Sequence, residues 1–151
     1  PFFEALNLAL QKARERRQYY KDQGLMSYVP WVWVLTDGEP TDVYDDVGDF
    51  TNTYKDAVIF LKELLQDQKV VFFMIITGSR GDLRRGAETL YELVSKVTGA
   101  ASPIMMEDIE ANWEKMAIWL SKSMSTVSSS KPGQTVQTPP VNFGQQYQIP
   151  T

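Results

Sequence analysis

The spacing of apolar positions divides the chain into alternating helical and strand segments. Phe2, Leu6, Ala9, Leu10 and Ala13 recur at helical spacing with Glu, Lys and Arg between them, which predicts a helix over 2–22. Gly24 stops it, and Pro30 forces Val29 into an extended conformation. The uncharged run WVWVLT at 31–36 is β-branched and aromatic, a composition suited to a strand covered on both faces. Tyr54, Ala57, Val58, Leu61, Leu64 and Leu65 form the stripe of a helix over 53–68. VVFFMIIT at 70–77 is a second buried strand. Residues 78–81 turn the chain, and Asp82 is placed to cap a third helix with the stripe Leu83, Ala87, Leu90, Val94 and Val97. Gly99 closes that helix. Residues 103–106 make a brief edge strand or a loop. Asp108 caps a fourth helix with the stripe Ile109, Trp113, Met116, Leu120 and Met124.

This order of elements predicts an α/β fold, a mainly parallel sheet with helices on both faces. The pattern changes after Met124. Ser, Thr, Pro, Gln and Gly dominate to the end, without an acidic residue, and 128–151 is expected as an extended tail. Val136, Val141, Phe143 and Tyr147 are its candidates for docking on the domain or a neighbour.

Composition narrows the chemistry. The 151 residues suit one domain, and 43% hydrophobic content is enough for a core. A net charge of −4 and a pI near 4.8 disfavour nucleic acid. Arg14, Arg16 and Arg17 are the tight basic cluster and read as a solvated helix face. There is no cysteine and no histidine, which removes disulfides, thiolate nucleophiles, the usual zinc ligand sets and an imidazole base. Any bound metal must therefore be a hard, oxygen-liganded ion: Mg²⁺, Mn²⁺ or Ca²⁺. No apolar run approaches the roughly 20 residues that span a bilayer, so no membrane partner is expected, and a cysteine-free chain fits the cytoplasm.

Candidate chemistry gathers after the first strand. Ligands of open parallel sheets bind beyond the carboxyl ends of the strands, where strand order reverses, and Asp37 stands immediately after 31–36. Residues 37–49 hold six acidic side chains and no basic one. Gly38 permits a tight backbone, Pro40 stiffens it, and Glu39, Thr41 and Asp42 bring further oxygen atoms. On the residues alone, a divalent-cation site and an ordinary solvated acidic loop both stay open.

The run LTDGEPTD, 35–42, following an apolar strand, resembles the signature of von Willebrand factor A domains. The resemblance implies a doubly wound, Rossmann-like sheet with a hard metal ion at its top, in a metal-ion-dependent adhesion site. Three loops supply that site: an Asp-x-Ser-x-Ser motif, a Thr from a second loop, and the Asp of a T-D-G segment. Asp37 matches the last of these, and Gly38, Glu39, Thr41 and Asp42 fall at the rim or behind it. Residues 119–140, WLSKSMSTVSSSKPGQTVQTPP, are similar to the C-terminal stretch of bacterial tellurite-resistance-associated A domains of the TerY type. The implied role is a metal-dependent protein-interaction module, with Mg²⁺ first and Mn²⁺ or Ca²⁺ as alternatives. A partner's acidic residue would complete the coordination, in a bacterial tellurite or stress response.

The Asp-x-Ser-x-Ser motif is absent from this chain, and the family's Thr falls at or just before Pro1. The resemblance thus implies that 1–127 are the C-terminal portion of such a domain, with N-terminal strands missing. The missing segment, or another chain, is expected to pair with strand 31–36, because an uncharged strand left at an edge invites aggregation. Two other readings stand beside this one: a Mg²⁺-dependent phosphohydrolase using the acidic loop, and a scaffold whose metal site is vestigial.

Remaining signals are weaker. Arg80-Gly81-Asp82 spells an integrin-type tripeptide but reads as a turn and helix cap. Trp31 and Trp33 read as core. Trp113 and Trp119 lie on different faces of the last helix, one as core and the other as a contact for the tail.

Overall fold

The computed structural model describes residues 1–151. In chain order its elements are α1 (Phe2–Asp22), β1 (Trp31–Thr36), α2 (Asn52–Gln66), β2 (Val71–Gly78), α3 (Arg80–Leu90), β3 (Ile104–Glu107), α4 (Ile109–Ser128) and β4 (Gln145–Gln146). α3 runs on through a π-helical turn, Tyr91–Ser95, into a last α turn, Lys96–Thr98. The fold is α/β. One open sheet has the order β1-β2-β3-β4, with β1/β2 and β2/β3 parallel and β3/β4 antiparallel. None of the helices is long and apolar enough to cross a membrane.

Side chains alternate across a strand, so β2 feeds two cores. Phe72, Met74 and Ile76 point into the larger one, with Val32 and the buried residues of α1, α2 and α3. Ile75 points the other way, into a smaller cluster with Ile104, Met106, Met116, Trp119 and Phe143, against which Phe73 and Trp33 pack. Helices thus cover both faces, unequally: three on one, α4 on the other.

The helix ends follow local chemistry. Thr51 caps α2, its Oγ1 accepting the Tyr54 N–H at 3.1 Å. Asp108 caps α4 by accepting the Ala111 N–H at 3.2 Å. Gly99 ends the third helix in the left-handed region at φ 78. Asp82 was expected as a cap but lies inside the first turn of α3, and Ser79 occupies the N-cap position.

Several stripes differ from expectation for physical reasons. In α1 the buried aromatic is Phe3, and Ala9 is exposed. In the third helix Val97 is exposed while Thr98 is buried. The π turn inserts one extra residue into the helical period, which rotates every later position by about 100°. In α4 the buried positions are Met116, Trp119 and Ser123, whereas Trp113 and Met124 are exposed. Trp119 sets that rotation, because its ring fills the space over Trp33 and Phe73. β3, expected as an edge strand or a loop, is paired on both sides. β1, expected to be covered on both faces, buries only Val32, and Leu35 is 48% exposed. It stands at the edge of the sheet, with β2 as its one neighbour.

Tyr54 ties α2 to the π turn, its hydroxyl donating to the Leu93 carbonyl at 2.9 Å. Burial, and secondarily the neighbouring Tyr44, push its pKa above the ordinary 10.0. The folded state therefore holds this proton more tightly than the unfolded chain. The resulting stabilisation is complete below pH 10.0 and is lost as pH rises through the raised folded-state value. Denaturant midpoints measured from neutral to alkaline pH should fall more steeply for the native protein than for Tyr54→Phe. Parallel curves would remove Tyr54 as the cause.

Candidate functional site

β1 delivers Thr36 and Asp37 to the carboxyl edge of the sheet, and the chain then turns sharply. Thr36 Oγ1 accepts the Gly38 N–H at 3.1 Å, and Asp37 Oδ1 accepts the Glu39 N–H at 3.0 Å. These two bonds hold the Asp37 side chain in a defined turn. Oδ1 also receives a long contact from Thr36 Oγ1 at 3.4 Å, while Oδ2 accepts from no protein group. Asp37 is exposed, and Gly38 beneath it is buried.

What supports this turn comes from α3. Gly38 has φ +84 and lies so close to Gly86 that a Cβ on it would fall 2.5 Å from the Gly86 Cα. Conversely, a Cβ on Gly86 would fall 2.8 Å from the Asp37 carbonyl oxygen. Two glycines thus let a loop and a helix touch backbone to backbone. Arg85, the preceding residue of α3, reaches Glu39 at 3.1 Å and Asp82 at 2.8 Å. Neither Arg85 nor Gly86 was singled out from the sequence. A glycine inside a helix with no turn to make was the available signal.

Of the other acidic residues of the loop, Asp42 and Asp45 hold backbone groups, whereas the exposed carboxylates of Asp46 and Asp49 make no hydrogen bond or ion pair. Asp42 Oδ2 accepts the Glu4 N–H at 2.9 Å, capping α1 from a distance, while its Oδ1 is buried without a partner. A carboxylate at a helix N-terminus is favoured by the unpaired N–H groups and dipole there. Asp45 Oδ1 accepts the N–H groups of Val47 and Asp49 at 3.0 and 2.9 Å, shaping a hairpin closed by the Tyr44–Phe50 bridge. Thr41 is exposed at the surface. Nowhere do three or more Asp or Glu side chains gather as a group able to hold a metal ion. A divalent ion takes about six or more oxygen ligands. Asp37 can offer one of them, and the residues present do not form a complete coordination sphere.

The loop also carries apolar surface that composition did not reveal. Tyr44 and Phe50 stack on one another at 5.2 Å with both rings exposed, and Val47 at the tip is 83% exposed. The Arg80-Gly81-Asp82 tripeptide is the start of α3, with Arg80 paired to Glu107 and Asp82 to Arg85.

No protein-family model matches the chain, and neither a curated protein nor a solved structure matches it significantly.

Proposed function

We propose that this chain is the C-terminal part of a von Willebrand factor A-type domain acting as a metal-ion-dependent protein-interaction module. The observation that carries the reading is Asp37, exposed at the carboxyl end of β1 with one carboxylate oxygen free of protein donors. Its backbone is braced by Gly86. A buttressed, unneutralised carboxylate suits a group that contributes one ligand to a shared ion. The similarity of 35–42 and 119–140 to TerY-type domains adds the setting: bacterial, cytoplasmic, in tellurite or stress response.

In this reading the remaining ligands come from strands that continue the sheet beyond β1, whose outer edge has no neighbour here. Addition of those strands completes a doubly wound sheet and makes the outer edge of β1 the point where strand order reverses, next to Asp37. Mg²⁺ is the favoured ion, with Mn²⁺ and Ca²⁺ as alternatives, and an acidic side chain of a protein partner takes the open position. Glu39 and Asp42 serve the loop, and Tyr44, Val47 and Phe50 give the partner an apolar rim.

The test is calorimetry with Mn²⁺ on the natural protein that carries this chain, comparing Asp37→Asn. Asparagine keeps the turn-forming acceptor and removes the charge. Loss of a ligand should weaken metal affinity by about tenfold or more. An unchanged affinity overturns the assignment. Phosphoester turnover that vanishes with the same substitution would mark an enzyme instead.

A further inference from the structure

At the end of the sheet opposite Asp37, α1 presents an arrangement that the interaction-module reading leaves unused. Arg14, Arg17 and Lys21 recur at i, i+3 and i+7 and share one helix face. Lys69, from the turn entering β2, joins them around a cavity of about 650 Å³. Only Lys69 has a carboxylate partner, Asp67 at 3.0 Å. The Arg14 guanidinium is held over the Phe60 ring, 4.8 Å from its centroid. Arg17, expected as part of a solvated face, is half-buried, and its Nη1 is shut from water without any hydrogen-bond partner.

Two ordinary explanations of such a cluster fall short. Cations at a helix C-terminus complement the dipole, but that effect fades beyond the last turn, which here holds only Lys21. Long cationic side chains commonly bury the stem and keep the tip wet. Arg17 does the reverse, covering an atom at its tip. A buried guanidinium nitrogen without an acceptor is unfavourable, and turning the Arg17 tip outward onto an anion in the cavity would relieve that cost. Two carboxylates also line the cavity: Asp67 is engaged by Lys69, and Glu63 lies outside ion-pair distance of all four cations. Four cations against two carboxylates leave the site net positive in a chain of net charge −4.

We propose that this cavity binds a phosphate monoester, held by the guanidinium groups of Arg14 and Arg17 and the ammonium groups of Lys21 and Lys69. Planar guanidinium forks match the oxygens of a phosphoryl dianion better than a lone ammonium does, and Arg14 and Arg17 both line the cavity.

The test is a heteronuclear NMR titration of the same natural protein with inorganic phosphate, an O-phosphoserine peptide, a nucleoside monophosphate and acetate. Saturable shifts are expected at the amides of residues 14–21 and 69, strengthening as salt is lowered. Arg17→Gln should weaken phosphate binding about tenfold. Lys21→Gln, at an exposed position where folding is not at stake, should weaken it by a smaller factor, and Asp37→Asn should leave it unchanged. The tighter of the phosphopeptide and the nucleotide identifies the source of the group. Shifts that do not saturate, acetate binding as well as phosphate, or unaltered binding in both folded variants would overturn the site.

Discussion

Gly38→Ala is expected to destabilise the protein by about 2–5 kcal/mol, the sum of a left-handed backbone forced on a non-glycine residue and a steric overlap in a packed contact. The overlap is unusually rigid. The new Cβ would meet the Gly86 Cα at 2.5 Å and its carbonyl carbon at 3.0 Å, and neither is a side chain that can swing away. Relief requires the loop to lift off α3, which moves Asp37 with it. Gly86→Ala makes the sharper test, because the two relevant effects have opposite signs. Alanine in a helix interior ordinarily stabilises by about 1 kcal/mol relative to glycine. Here the added methyl would sit 2.8 Å from the Asp37 carbonyl and 3.3 Å from Ile76 Cγ2, so the substitution should destabilise instead. Urea denaturation, with an unchanged slope and a lowered midpoint, reads both effects. A Gly86→Ala protein more stable than the parent would show that loop and helix do not touch in this way.

This contact also marks where sequence reading reached its limit. The strand WVWVLT, its exit at Asp37 and the caps Asp108 and Gly99 were legible because each depends on neighbouring residues or a short period. The unbroken apolar run of β2 also announced a strand buried on both faces. Features depending on distant segments were not legible. Gly86 is a poor helix former whose purpose lies 48 residues away at Gly38, and Asp42 looks like one more loop acid until it meets Glu4. The π turn is not announced by composition, yet it decides whether Val97 or Thr98 faces the core. The acidic loop was legible as acidic but not in what each carboxylate does. Its charge density left a cation site and a solvated loop both open, and Glu39, Asp42 and Asp45 each serve a different backbone or ion-pair contact. Asp37 keeps Oδ2 free at the carboxyl end of β1, while the equally free carboxylates of Asp46 and Asp49 lie further along the loop.

Trp119→Ala should be the most damaging single change on the α4 face, costing about 3–5 kcal/mol. The indole is 2% exposed and packs edge-on against three rings: Trp33 at 5.4 Å, Phe73 at 5.7 Å and Phe143 at 5.4 Å. Its Nε1–H donates to the Pro139 carbonyl at 2.9 Å, so the same side chain joins the sheet to the tail. The tail is held elsewhere by short β pairing of Gln145–Gln146 with β3, by the Tyr147 N–H donating to the Pro103 carbonyl at 2.8 Å, and by the buried Phe143. A two-residue strand contributes little alone, so the tail is anchored by buried rings: Phe143 against Trp119 on the α4 face and Tyr147 against Tyr91 in the larger core. Removing the indole should therefore lower stability and also expose 132–142 to protease under conditions where the parent is resistant. Trp119→Phe separates the two contributions. It keeps most of the ring packing and loses the hydrogen bond, so it should cost roughly 1–2 kcal/mol and leave cleavage intermediate. Equal protease resistance in Trp119→Ala and the parent would mean that the tail docks without the tryptophan. Phe143→Ala, which cuts the same contact from the tail side, should reproduce the cleavage pattern if the two rings act as one anchor.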